Sequence, residues 1–271
     1  MTAAARSLSF FVLYLAYLVL VMEPVQWLLL APVLALAPRL RAPWMRAWMG
    51  GQARFMLWLS QRMAGWHLGV EGAIPPRSCI VVMNHQSVLD VGIGLSLVRG
   101  PYALIPTRAR YRWSVPGVSS MIRLAGYPFV AQRAAATRAD LLALRDAADA
   151  VARGERSLLI FPEGHRSRNK SILPFMTSGL RLILRRAPGR PVYVVVVEGF
   201  RHLRSMRDVA LRLAGTRAHA VVLGPFAAPA EPERIDAFIQ QLHATMSAAL
   251  ERLPDSPSGA SPRAQASGAT A

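Results

Sequence analysis

The chain is poor in sulfur and poor in acid. One cysteine, Cys79, stands among 271 residues, so no internal disulfide can form. It sits against the apolar run Ile80-Val81-Val82, which suits an inert core thiol. No Gly-x-Ser-x-Gly pattern occurs, so there is no serine nucleophile of the elbow type. Zinc-finger spacing and RNA-recognition signatures are missing as well. Only 15 residues are acidic against 32 basic ones, a net charge of +17, and a single lysine, Lys170, leaves the remaining positive charge to arginine. Such a balance suits nucleic acid, an anionic membrane surface or an acidic ligand. Nucleic acid is the poorest fit, because 53% of the residues are hydrophobic and mean hydropathy is +0.28. No internal repeat is visible, and the length suffices for one domain with appendages.

What the chain has in quantity is apolar sequence at its start. Ser7 to Met22 carries no charge, Glu23-Pro24 interrupts, and Pro24 to Pro38 is again uncharged. Each half is shorter than the roughly 20 residues that span a bilayer as a helix. The segment reads as a retained anchor, either one kinked span or a helical hairpin entering one leaflet. A cleaved leader fits poorly, since the apolar run is split and Pro38 would follow a cut after Ala35-Leu36-Ala37. Arg39, Arg41, Arg46 and Arg54 follow the anchor and only Arg6 precedes it, so the positive-inside rule places the body of the chain on the cytoplasmic face of the cytoplasmic (inner) membrane. Trp44, Trp48, Trp58 and Trp66 stand among these arginines, either as a membrane-interface belt or as the core face of a packed helix. The division expected is an anchor at 1–40, a basic, Trp-bearing interfacial helix at 41–65, a catalytic domain at 66–253 and a disordered Ser/Pro/Ala/Gly tail at 254–271.

Within the domain, β-branched runs alternate with helical patterns. Cys79 to Met83, Tyr102 to Pro106, Ser157 to Phe161 and Pro191 to Val197 read as strands, the last buried on both faces. Thr137-x-x-Asp140 opens a helix by a capping box, with Leu141, Leu144, Ala148 and Val151 as its apolar stripe. Val209 to Leu213 is a short apolar run, Ala220 to Leu223 an edge strand, and a last helix after Pro232 carries Ile235, Phe238, Ile239, Leu242 and Met246 on one face. The expected fold is α/β: a single domain with a mixed, mostly parallel central sheet flanked by helices, plus the N-terminal apolar anchor.

Two strand ends carry the chemistry. The first strand runs into Asn84-His85-Gln86-Ser87-Val88-Leu89-Asp90. Five residues of helix turn through about 500°, so His85 and Asp90 can meet only if His85 lies in the bend before the helix. There Asp90 could fix one ring nitrogen and leave the other to take a proton. Ser87-x-x-Asp90 is also a capping-box pattern, so Asp90 has a purely structural reading too. The second strand end is Phe161-Pro162-Glu163-Gly164-His165-Arg166-Ser167-Arg168, in which Pro162 stops the strand, Gly164 permits a tight turn and the arginines supply cations.

Together these stretches resemble the glycerolipid acyltransferase family that includes the 1-acylglycerol-3-phosphate acyltransferases, which carries N-H-x-x-x-x-D and F-P-E-G-x-R-S. The resemblance covers roughly residues 65 to 225. It implies transfer of a fatty acyl group from acyl-coenzyme A or acyl carrier protein to the free hydroxyl of a lysophospholipid, foremost 1-acyl-sn-glycerol-3-phosphate, with no cofactor and no metal. His85 would be the base and Asp90 its orienter. Glu163 and Gly164 would hold the acceptor's glycerol part, with Ser167 in the same motif. Arg166 and Arg168 would bind phosphate, and Arg133 the acceptor's phosphate. The partners implied are the lysophospholipid, the acidic acyl carrier and an anionic membrane, and no nucleic acid. Met176 stands where the family usually has lysine, Val195 where it has a proline, and His165 where it has a small residue, so a lyso-ornithine lipid is an alternative acceptor. Two further readings compete: a metal hydrolase using His85, Asp90, Glu163 and His165, disfavoured by the arginines at the same turn, and a membrane-binding protein that retains the motifs without activity.

Overall fold

Pro191 to Glu198 is buried along almost its whole length, and the rest of the protein is built outward from it. A computed structural model describes residues 1–131 and 137–254. Arg133 and the expected tail beyond Pro254 lie outside the described residues. In chain order the elements are helix α1 (Ala3–Leu36), helix α2 (Arg41–Ala64), strands β1 (His67–Glu71) and β2 (Ile80–Met83), and helix α3 (Leu89–Leu97). Strands β3 (Ala103–Leu104) and β4 (Thr107–Arg108), helix α4 (Val118–Ala125), strand β5 (Phe129–Val130) and helix α5 (Arg138–Ala152) follow. The chain continues through β6 (Ser157–Ile160), α6 (Thr177–Arg186), β7 (Pro191–Glu198), α7 (Met206–Arg212), β8 (Arg217–Ala227) and α8 (Ile235–Arg252).

Six strands form one sheet in the order β1-β8-β7-β2-β6-β3, and only the β7–β8 pairing is antiparallel. The expected mixed, mostly parallel sheet is therefore present. Right-handed crossovers then fix the faces. The connection β2–α3–β3 passes β6 in one direction, while those through α5 and α6 run back the other way. So α3, with α2 packed on it, covers one face, and α5, α6 and α8, which touch one another or the strands beneath them, cover the opposite face.

Two expectations are corrected and one open run is assigned. Ala220 to Leu223 is no edge: β8 runs for 11 residues between β1 and β7, and the edges of the sheet are β1 and β3. The run Val209 to Leu213 belongs mainly to a helix, because Ser205 and Asp208 form a capping box before it. Glu23-Pro24 does not interrupt α1. Its turns at Leu18–Met22 and Gln26–Leu30 are π-helical, with Glu23 N–H donating to Leu18 O and Ala31 N–H to Gln26 O. The wider turns absorb the missing donors and ring bulk of Pro24 and Pro32 without breaking the helix. The apolar N-terminal segment is thus one helix of 34 residues, long and apolar enough to cross a membrane, and it is followed by α2.

Helix α1 lies along the domain. Ser7 Oγ accepts from Ala214 N–H at 2.8 Å, Gln26 Nε2 donates to Gly117 O at 2.8 Å, and Glu23 accepts from Ser120 Oγ at 2.6 Å. Its other side exposes Leu20, Leu28, Leu29 and Leu36. On α2 the inward stripe is methionine (Met45, Met49, Met56), at near-helical spacing. The four tryptophans do not share one environment. Trp44 and Trp58 are exposed, Trp48 packs in part against the core, and Trp66 is buried with its Nε1 donating to Ser60 Oγ at 2.9 Å.

Candidate active site

The site grows from the carboxyl end of β2. The chain leaves β2 toward β3 and leaves the adjacent β6 in the opposite direction, toward β7, which makes this the topological switch point where open α/β sheets bind ligands. Asn84 ties the strand end down: its Nδ2 donates to Val197 O at 2.8 Å and its Oδ1 accepts from Val197 N–H at 2.7 Å, so the side chain extends the β2–β7 pairing by one step. His85 is the next residue and lies in the bend before α3. Gln86 then turns inward, donating to buried Glu198 at 2.7 Å and accepting from Phe200 N–H at 3.2 Å.

His85 Nδ1 lies 3.0 Å from Asp90 Oδ2, and the aspartate is fully buried. The same oxygen accepts from Gln86 N–H at 2.6 Å and Ser87 N–H at 2.7 Å. Asp90 therefore does both things its position allows. It binds the open amides at the start of α3, and it holds the imidazole. The capping box itself is incomplete, because Ser87 Oγ is not bonded to the Asp90 amide; Asp90 N–H donates to Ser87 O at 3.3 Å. With Nδ1–H given to a carboxylate, the neutral ring carries its lone pair on Nε2. The ring packs on Phe161, with centroids 4.5 Å apart, and borders a large cavity.

Glu163 turns away from the cavity, whereas Ser167 lines it but gives its hydroxyl to carbonyls of this chain. Glu163 is 2% exposed, and its oxygens accept from His85 N–H at 2.9 Å and Leu173 N–H at 2.8 Å. It braces the His85 backbone and does not line the cavity. Burial holds its carboxyl above the ordinary carboxylate range, against the lowering effect of those two amides. Ser167 is buried. Its hydroxyl reaches the carbonyls of Asn169 at 2.7 Å and Ser171 at 2.8 Å, and its N–H donates to His85 O at 2.7 Å. The motif after β6 thus grips the histidine backbone from both sides, which no reading of its residue types had suggested. Glu163→Gln is expected to lower the melting temperature by an amount equivalent to about 1–3 kcal/mol, because its amide group would face one of those two N–H donors. Turnover should fall with stability. A glycerol-contacting role predicts instead a higher KM at unchanged melting temperature.

Gly164 has φ +67°, a left-handed turn that turns the loop back from β6. Arg166 and Arg168 line the cavity, and Arg166 Nη1 donates to Arg204 O at 2.7 Å. Two cations missed in the sequence join them. Arg108, at the end of β4, donates to Gly164 O at 3.3 Å, and Arg110 lines the same cavity. Burial and the neighbouring Arg110 and Arg166 lower the Arg108 pKa. Among the described residues no carboxylate forms an ion pair with Arg108, Arg110 or Arg166. The alternating Arg108-x-Arg110-x-Arg112 after a strand-ending proline was the available signal. His165 is exposed, with Nδ1 3.5 Å from Arg108.

The cavity measures about 1420 Å³. His85 and the arginines lie at its polar part, and Met22, Met56, Leu95 and Met121 are among its apolar walls. Among the described residues no serine or cysteine side chain is hydrogen-bonded to His85. Cys79 is fully buried and its thiol is pushed up to about 11 by burial. A base without a protein nucleophile, beside uncompensated cations and an apolar cavity, fits direct attack by the hydroxyl of an anionic amphiphile.

Residues 68–198 match the family model described as Acyltransferase. The human 1-acyl-sn-glycerol-3-phosphate acyltransferase beta is 29% identical over 124 residues, which are 46% of this chain and 42% of that protein, so the match spans less than half of the relative's length. The crystal structure of PlsC, the 1-acyl-sn-glycerophosphate acyltransferase from Thermotoga maritima, superposes with a TM-score of 0.69 at 21% identity, covering 93% of this chain and 97% of that one. The two share a fold.

Proposed function

We propose that the chain, whose residues 68–198 match the acyltransferase family, transfers a fatty acyl group from acyl-coenzyme A or acyl carrier protein to the free hydroxyl of 1-acyl-sn-glycerol-3-phosphate, forming phosphatidic acid. The observation that carries this reading is the His85–Asp90 pair at 3.0 Å, opening on a cavity that is cationic at one part and apolar in another. His85 Nε2 takes the proton of the acceptor hydroxyl as its oxygen attacks the thioester carbonyl. The tetrahedral intermediate collapses, the carbon–sulfur bond breaks, and the leaving thiolate takes that proton from the imidazolium, which restores the neutral base. Asp90 stabilises the imidazolium formed in between. Arg108, Arg110 and Arg166 hold phosphate, where a guanidinium's fork of donors matches the anion.

Helix α1 supports a membrane setting. Its exposed side is leucine-rich, and Glu23 pins its middle to Ser120. The helix therefore lies against the domain with its outer face available to lipid, and the catalytic part faces the cytoplasm, consistent with the arginines after the anchor.

Purified full-length protein incubated with each donor and with lysophosphatidate or lyso-ornithine lipid should release free thiol in step with phosphatidate formation. Thiol release without acceptor would make the protein a thioesterase. Esterification of lyso-ornithine lipid alone would reassign the acceptor; Met176, an uncharged residue on the cavity wall, is the feature that favours testing it. Arg166→Ala should raise the acceptor or donor KM roughly ten- to hundred-fold with kcat largely kept, because a phosphate contact acts in ground and transition states alike. A fall in kcat at constant KM would place Arg166 at the oxyanion.

A further inference from the structure

The bend that carries His85 is held from both strands beside β2. On the β6 side, Glu163 accepts from His85 N–H at 2.9 Å. On the β7 side stands Glu198, the last residue of that strand and fully buried. Its Oε2 accepts from Gln86 Nε2 at 2.7 Å, and its Oε1 accepts from Arg201 Nε at 2.8 Å. Arg201 runs outward, with 29% of its side chain exposed, so the buried carboxylate has a counter-charge that reaches water. The other end of the Gln86 amide, Oε1, accepts from Phe200 N–H at 3.2 Å. Phe200 is itself fixed, buried with its ring edge-on to Trp66 at 5.4 Å between centroids. We propose that Glu198, backed by Arg201, is a positioning residue for acyl transfer: through Gln86 it sets the bend at which His85 meets Asp90. The proposal rests on the acyl-transfer reading above and adds to it a residue that acts through another.

Two observations link Glu198 to the reacting pair. Gln86 N–H donates to Asp90 Oδ2 at 2.6 Å, the same oxygen that faces His85 Nδ1 at 3.0 Å. A rotation of residue 86 therefore shifts an oxygen that must stay aligned with the ring, and a displacement of about 1 Å is enough to cost roughly a hundred-fold in rate. The second observation is the charge itself. Apolar residues of similar volume often hold a buried position with no loss of stability, so packing does not call for a carboxylate at 198. What the carboxylate adds is direction. Paired to Arg201 it can only accept, and Phe200 N–H can only donate, so both partners demand the same orientation of the Gln86 amide.

Exchanging the two side chains tests this in the full-length protein. Gln86→Glu alone sets two carboxylates against each other where an amide and a carboxylate met. Glu198→Gln alone offers one amide oxygen to two donors, Arg201 Nε and Gln86 Nε2. In the double variant the carboxylate at 86 accepts from Phe200 N–H and from the amide at 198, whose oxygen accepts from Arg201 Nε. Every bond returns, with the middle one reversed. Glu198→Gln should lower kcat roughly three- to ten-fold and Gln86→Glu roughly ten- to hundred-fold, with KM for either substrate kept within about threefold. The double variant should recover to within about threefold of the wild type. A double variant no better than Glu198→Gln would overturn the proposal, and this comparison stands even where Gln86→Glu alone does not fold. Full kcat in Glu198→Gln with only a lower melting temperature would overturn it too. A second readout needs no turnover. The proton on His85 Nδ1, bonded to Asp90, is followed as a downfield imidazole N–H signal by NMR and assigned by its absence from His85→Ala. It should broaden or vanish in Glu198→Gln and return in the double variant; an unchanged signal in Glu198→Gln would break the link. Loss and return of the signal in a protein that makes no phosphatidate would leave the link standing and remove only the acyl-transfer reading.

Discussion

His85→Ala is expected to lower acyl transfer by roughly 10²–10⁴-fold or more while the protein stays folded. Among the described residues the imidazole is the one basic side chain at the cavity held by a buried carboxylate, and no serine or cysteine side chain is hydrogen-bonded to it. Removing the ring leaves Asp90 Oδ2 with its two backbone donors, Gln86 N–H and Ser87 N–H, so the turn into α3 keeps its hydrogen bonds. The brace from Glu163 to the residue-85 amide is a backbone contact and survives the substitution. Circular dichroism and melting should therefore change little, and thiol release with lysophosphatidate should nearly vanish. A folded variant with near-normal turnover would sink the mechanism.

Asp90→Asn should lower turnover by a comparable factor, roughly 10²–10⁴-fold. An amide oxygen can still orient the ring, but it carries no charge to offset the imidazolium that forms during transfer. The same oxygen accepts two amides of the helix start, and bonds to a charged acceptor are worth more than those to a neutral one, so a loss of about 1–2 kcal/mol of stability should accompany the catalytic defect. If Asp90 only capped α3, stability would fall and activity would remain. Combining both substitutions separates the cases. Residues that act as one unit are non-additive, so the double variant should be little worse than His85→Ala alone.

The sequence by itself determined most of the elements and singled out the candidate pair. Strands were legible because β-branched runs buried on both faces have few other ways to satisfy their backbone, and the alternation of strand and helix implied a mostly parallel sheet. The five-residue spacing already required His85 to lie before the helix if it was to touch Asp90. Other features depended on residues far apart in the chain. Glu163 and Ser167 resembled substrate contacts as residue types, yet their oxygens and hydroxyl face amides and carbonyls of this chain across 2 to 78 positions. Arg108 reads as one arginine among many until its strand end is laid beside Gly164. The short run at Ala220 to Leu223 lacked the length of an interior strand, and became part of one because β1 and β7 pair on either side of it. Glu23-Pro24 looked like a break because local pattern shows only the missing donor, whereas two π turns and a bond to Ser120, 97 residues on, keep the helix whole. Local pattern records what each residue can do; which of those capacities is used depends on the partner that folding brings to it, and that was decided by the packing of the sheet and its two faces.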